Sequence, residues 1–334
     1  MSVGKMSNDD LENVVLKKIK PVREDILIRP GIGEDCAAIE FGDMACVITT
    51  DPITGSDSNL GKLAVHVCVN DIASSGSVPV ALLLTVLCPK DTEKEVIEDL
   101  LIEANKEANS MGIEIIGGHT ELTSAVNRII VSATAIGKIP KDKLIRTGNA
   151  QNGDWIYLTK KAGLEGTAII ATDKRRDLLE ILSNRELDEA SAMMEHISVL
   201  GEGLIGQEVG VSAMHDATEG GVLGAIHELC EASEKGCRIR REKISIHAVT
   251  EKICDFYHID PLKLIASGSM VMAVPPERAT DLEKAFLDAG IEYSKVGVVT
   301  ESQEKIVCYG EDSVEMICDE IMPPESDELY KVIN

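Results

Sequence analysis

Three aspartates stand where apolar segments run out: Asp35 after Gly31-Ile32-Gly33-Glu34, Asp51 after residues 47–50, and Asp71 after residues 65–70. Taken singly, each suits a cap or a turn, since Asp favours helix starts and bends. Three carboxylates within 37 residues, beside glycine-rich backbone, also suit a hexacoordinate Mg2+ whose remaining positions go to water and phosphate oxygens. Two later runs carry further chemistry. Gly117-Gly118-His119-Thr120-Glu121 follows a short apolar segment and joins an imidazole, a hydroxyl and a carboxylate to two glycines. His119 could shuttle a proton or neutralise charge on a phosphate, or could simply hydrogen-bond the backbone. His215-Asp216-Ala217-Thr218-Glu219-Gly220-Gly221 reads as a strand-to-helix turn whose N–H groups make a site for an anion. Asp216 or Thr218 could equally be an ordinary N-cap, but two successive glycines favour close approach of a ligand.

Hydrophobic periodicity predicts the elements that must position these residues. In the first part these are a helix over 9–19, a strand over 45–49, a helix over 61–75, a strand over 80–87, a helix over 92–111, and strands over 113–116 and 129–136. A polar stretch over 140–153 is the expected boundary between a domain over 1–145 and another over 146–334. The alternation then restarts, with strands over 155–159, 211–214, 269–274, 292–299 and 305–309. Helices are expected over 177–182, 187–205, 222–233 and 278–289. Both parts repeat a strand ending in a glycine and acidic run, followed by a helix, which is a mixed α/β pattern.

The 334 residues suit two domains of ordinary size. Lys and Arg total 33 against 57 Asp and Glu, a net charge of −24 that repels phosphodiester backbones and argues against nucleic acid as a partner. No apolar run reaches the ~18 residues of a membrane span and the amino terminus lacks a signal-peptide layout, so a cytoplasmic protein is expected. Nine scattered cysteines, without a CxxC pair, suggest buried free thiols, no disulfide framework and no zinc site. Standard nucleotide loops fail. Residues 55–62 space the Walker glycines by five residues and place Leu63 where Ser or Thr should be, and Gly31-Ile32-Gly33 does not complete GxGxxG.

In order and spacing, Gly31-Ile32-Gly33-Glu34-Asp35-Cys36-Ala37, Thr49-Thr50-Asp51, Val69-Asn70-Asp71-Ile72-Ala73, Gly117-Gly118-His119-Thr120-Glu121, the 215–221 run and Ser267-Gly268-Ser269 resemble the motif series of the aminoimidazole ribonucleotide (AIR) synthetase superfamily. The resemblance implies a two-domain α/β (α+β) fold, dimerisation through the N-terminal domains, and ATP bound with Mg2+ beside that interface. It implies transfer of the γ-phosphoryl group to an oxygen of a small acceptor such as an amide, carboxamide or phosphate. By motif position, Asp35, Asp51 and Asp71 would hold metal, with Glu121 substituting for the acid that relatives carry at the position of His119. Gly31, Gly33, Asn70, Gly118, Thr120, Gly220 and Gly221 would line the nucleotide. His119, Asp216 and Thr218 would face the reacting phosphate or acceptor. The 215–221 run is most like that of the hydrogenase-maturation dehydratases, with Glu219 in place of an arginine and Leu329-Tyr330-Lys331-Val332-Ile333-Asn334 in place of a terminal cysteine. A protein partner in a maturation pathway is one expectation. A non-catalytic, nucleotide-binding homodimer is the alternative to an enzyme.

Overall fold

The computed structural model describes residues 6–53, 59–310, 317–324 and 326–333. Gly55 and its neighbours to 58, the start of the Walker-like stretch, lie outside them. The chain opens with α1 (Asn8–Asp10). A π-helical turn over Leu11–Val15 and a 3-10 turn over Leu16–Lys18 follow, in place of the regular helix expected over 9–19. None of these residues is buried, and a helix this short needs a packed face to hold it.

The first sheet contains β1 (Ile26–Ile28), β2 (Ala37–Phe41), β3 (Met44–Ile53), β4 (Val78–Pro89), β5 (Glu114–Thr123) and β6 (Ile130–Pro140), in the order β1-β2-β3-β6-β4-β5. Between its strands come α2 (Leu60–Ser74) and α3 (Lys94–Ser110). All pairings are antiparallel except β4 with β5, which α3 connects as a crossover. α2 is apolar nearly all round and correspondingly buried nearly all round. It packs against β3 and β6 on one side and the second sheet's layer on the other.

The second part begins with β7 (Trp155–Thr159) and α4 (Leu164–Asp173), then α5 (Arg175–Leu178), α6 (Asn184–Ser191), α7 (Leu200–Val209), β8 (Ala213–Asp216) and α8 (Gly221–Ala232). It continues with β9 (Gly236–Arg240), α9 (Ala248–Tyr257), β10 (Met270–Val274), α10 (Ala279–Ala289), β11 (Tyr293–Thr300), β12 (Lys305–Tyr309), β13 (Ile317–Glu320) and α11 (Tyr330–Ile333). These seven strands form one sheet, β13-β12-β9-β11-β7-β10-β8. The helix expected over 187–205 is in fact α6, a 3-10 turn and α7, and α4 begins directly after Gly163. No helix among the described residues is long and apolar enough to cross a membrane.

The first sheet and the helices of the second part share one interior, whereas the second sheet's buried strand residues fall in two further clusters. A single apolar cluster joins Leu63, Val69 and Leu82 to Leu164, Ile170, Ile253 and Leu329. α2 and α7 come so close that a Cβ on Gly203 would lie 2.2 Å from the Ala73 carbonyl oxygen.

One expectation about cysteine is overturned: Cys308 and Cys318 form a disulfide. They are direct cross-strand partners on β12 and β13, a relation that follows from strand register and not from their spacing of ten. The other seven are free and, apart from Cys46, buried.

Candidate active site

The acidic residues converge where α2 meets β8. Asp71 lies in the last turn of α2, not at its end, and its carboxylate accepts the Thr49 hydroxyl from β3 at 2.6 Å. Asp51 faces it from β3. Asp35, in the loop before β2, accepts the Ser74 hydroxyl at 2.8 Å and the His215 Nδ1 proton at 2.8 Å. His215 and Asp216 close β8, so Asp35 and His215 tie the first sheet's loop to the second sheet's edge strand. The other imidazole nitrogen meets Glu228 on α8 at 3.1 Å.

Burial and crowding leave their mark on this cluster's protonation. Burial, then the charges of Asp216, Asp51 and Asp35, push the Asp71 carboxyl well above the usual range. Burial and then Asp35 push Asp216 up to about 8. Burial opposes a charge on His215, but Asp35 and Glu228 on its two nitrogens overcome it and hold the imidazole well above its ordinary value. Burial and Asp35 also raise Glu34 to about 7. Both oxygens of Asp216 are buried without a hydrogen-bond partner. A buried carboxylate in that condition carries a large desolvation cost that a cation would relieve.

Asp35, His215 and Asp216 bring one ligand atom each to within 4.8 Å of one another. The carboxylate oxygens of Asp35 and Asp216 fit a divalent ion such as Mg2+, whereas His215, with both nitrogens engaged by Asp35 and Glu228, is not free to ligate one. The grouping differs from the expected Asp35, Asp51, Asp71 and Glu121. Glu121 is on β5, exposed, and paired with His119 at 3.2 Å. Cross-strand register runs from His119 to Thr85, Ser132 and Pro52, the neighbour of Asp51. That is three strand spacings, or roughly 14 Å at about 4.8 Å each. Within one chain His119, Thr120 and Glu121 are therefore not gathered with the aspartates. The 117–121 run, expected to follow a strand over 113–116, is instead the middle of β5, an edge strand exposed along most of its length.

Several glycines serve protein packing. A Cβ on Gly118 would fall 1.9 Å from the Leu84 carbonyl oxygen, and one on Gly33 (φ +76°) 3.0 Å from that of Glu228. Gly220 and Gly221 also lie against protein, at Pro324 and at the Leu262 and Leu264 backbone. Their amides are taken, Gly220 by Asp327 at 2.7 Å and Gly221 by the Thr218 carbonyl at 3.0 Å, so the expected anion site is filled from within. A Cβ on Gly31 would meet Glu34 Cγ at 3.5 Å and the Arg29 carbonyl oxygen at 4.0 Å, ordinary contacts. Thr218 is half-buried beside this turn. Asn70, expected to line the nucleotide, instead donates to the Ile197 carbonyl at 2.8 Å and accepts from the Val199 amide at 2.9 Å, clamping the two parts together.

Sequence reasoning passed over His215, Glu228, Thr49 and Ser74 as site residues. The signal for His215 was its position next to Asp216 at a strand end. Glu228 reaches it only because α8 folds back over β8.

A two-sheet α/β protein with a buried cluster of acids where α2 meets β8 is the class these features define. The chain belongs to the AIR synthase-related family: residues 33–139 match its N-terminal domain and residues 151–309 its C-terminal domain. A "putative hydrogenase expression/formation protein" of Methanocaldococcus jannaschii is 33% identical over 285 residues, covering 83% of this chain and 82% of that one. A carbamoyl dehydratase HypE of Rhizobium leguminosarum bv. viciae is 29% identical over 262 residues, covering 74% and 71%. Among solved structures, the hydrogenase maturation protein HypE in complex with ATP has the same fold, with a TM-score of 0.68, 19% identity, and coverage of 98% and 97%.

Proposed function

We propose that this protein is an ATP- and Mg2+-dependent enzyme that phosphorylates, and so activates, an oxygen of a small carboxamide-type acceptor. The observation that carries the reading is Asp216: a buried carboxyl with two unpartnered oxygens, among Asp35, Asp51 and Asp71, is poised for a divalent cation. The names of the relatives, carbamoyl dehydratase and hydrogenase expression/formation protein, point to an amide-type acceptor and a protein partner in maturation. Asp35, Asp51, Asp71 and Asp216 would hold the metal, which supplies charge neutralisation to the nucleotide phosphates. In the transfer, the acceptor oxygen bonds to the γ-phosphorus, the β–γ bridging bond breaks, and ADP leaves. Asp216 and Thr218 orient the acceptor. His215, held between Asp35 and Glu228, keeps the two parts in register.

The dimer belongs to the same reading. The edge strand β5 exposes Ile116 and Leu122 at 55% and 52%, beside Leu83 at 36%, an apolar edge that a second copy would cover. Such a pairing would also place His119 and Glu121 at a subunit boundary, the position from which they could serve the partner's nucleotide. The division at 145/146 and a cytoplasmic setting complete the reading. Its alternative, a nucleotide-binding homodimer without turnover, is favoured by one observation: His119 stands away from the aspartates within the chain. Steady-state ADP release with Mg2+ and a panel of carboxamides, carbamoyl compounds and phosphates tests both. Acceptor-dependent release supports the enzyme, whereas tight nucleotide binding with no release under any acceptor overturns it.

A further inference from the structure

After β13 the chain leaves the second sheet's edge and crosses to the turn that carries Asp216 and Thr218. Asp327 is the centre of that contact. Its Oδ2 accepts the Gly220 amide at 2.7 Å, and its Oδ1 accepts the amides of Ile265 at 3.1 Å and Leu329 at 2.8 Å. Pro324 fills the space beside Gly220, where a Cβ would come within 2.5 Å of it. The Tyr330 hydroxyl donates to Glu219 at 2.6 Å, and Leu329 and Val332 are buried in the shared core beside Leu164.

Covering apolar surface does not require this arrangement, because it draws acids together. Glu165, Glu219 and Asp327 all lie near enough to the Tyr330 hydroxyl for their charges to act on it. Burial lifts Glu165 to about 7 and Asp327 to about 6, the latter in spite of three backbone N–H groups that favour its anion. Neither Glu165 Oε2 nor the Ser267 hydroxyl makes a well-formed hydrogen bond, although Ser267 lies close enough to favour the Glu165 anion. The turn itself explains why an external tie is useful. Gly220 (φ +87°) and Gly221 (φ +63°) are successive left-handed residues, which permit the bend but do little to enforce it.

We propose that residues 321–324 and 326–333 form a clasp that sets the conformation of the 216–221 turn, with Asp327 as its positioning residue. The inference rests on the reading above only in giving Asp216 and Thr218 a role toward the acceptor. Amide hydrogen exchange on the full chain tests it directly, in Asp327→Asn and in the milder Tyr330→Phe. Loss of a charge-assisted hydrogen bond should speed exchange over 217–224 by about tenfold or more in Asp327→Asn, and by a smaller factor in Tyr330→Phe. Exchange in α2 and β3 should stay unchanged. In the same variants, KM for ATP should hold within about twofold while kcat for ATP hydrolysis falls. Unaltered exchange over 217–224, or equal acceleration throughout the chain, overturns the clasp. If Asp327→Asn does not fold, Tyr330→Phe decides by the same criterion. Absence of any ATP turnover in the unmodified protein would count against the proposed function, and the exchange pattern would still decide the clasp.

Discussion

Replacing Asp216 with Asn should make the metal-free protein more stable and the nucleotide complex weaker. The carboxyl is buried, has no hydrogen-bond partner, and titrates at about 8 against an ordinary 3.8. A folded-state value above the unfolded one means that the native state prefers the protonated acid. Its penalty is therefore absent below about pH 4, grows as pH rises, and levels off above pH 8. At pH 7 roughly three of those pKa units are in play, and at 1.36 kcal/mol per unit the penalty is about 4 kcal/mol. Relaxation of the neighbouring acids would reduce this, so an increase of about 2 to 4 kcal/mol is expected from the neutral amide. Chemical denaturation without divalent ions at pH 5, 7 and 8 measures it, and the gap between the two proteins should widen with pH. Mg2+ with a non-hydrolysable ATP analogue should reverse the order, with the variant binding at least tenfold more weakly, or about 1.4 kcal/mol. A variant that is less stable at pH 7, or whose advantage does not grow with pH, would refute the claim that a buried, unpartnered carboxyl that resists ionisation defines the site.

Four further outcomes are expected. Asn70→Ala leaves the Ile197 carbonyl and the Val199 amide buried and unpaired, which should cost about 2 to 4 kcal/mol by denaturant titration. Cys308→Ser, or reduction, opens a loop closed over ten residues and should lower stability by about 2 to 3 kcal/mol, read from the thermal midpoint with and without reductant. Leu122→Asp on β5 should convert a dimer into the 36.0 kDa single chain by light scattering, and His119→Ala, at an exposed site, should lower turnover without changing stability.

How much of this was legible beforehand depended on whether the signal was local. β4, β6 and α3 follow from periodicity because each buries a definite face, and α2 from its long apolar run, and their observed limits differ from the expected ones by only a few residues. β2 and β9, five residues each, and α9 were not read at all. Short segments of modest apolarity become strands only through the neighbours that complete their ladders.

The site divides along the same line. Order and spacing of the aspartate-bearing motifs marked Asp35, Asp51, Asp71 and Asp216 from the sequence, and the family assignment agrees with that series. Residue type alone could not say which glycines face a ligand. The close approaches at Gly33, Gly118, Gly220 and Gly221 are to backbone or side chains distant in sequence. Nor could it separate His119 from His215, since both follow apolar strands. Strand order does not separate them, since β5 and β8 are both outer strands; packing does, because the β5 histidine faces solvent whereas β8 lies against α2, bringing His215 to Asp35 across 180 positions. Sequence carries the chemical identity of each group and its local backbone preference. Which groups share a low-dielectric pocket, and so perturb one another's charge, is a matter of distances that only the packing of the two sheets establishes.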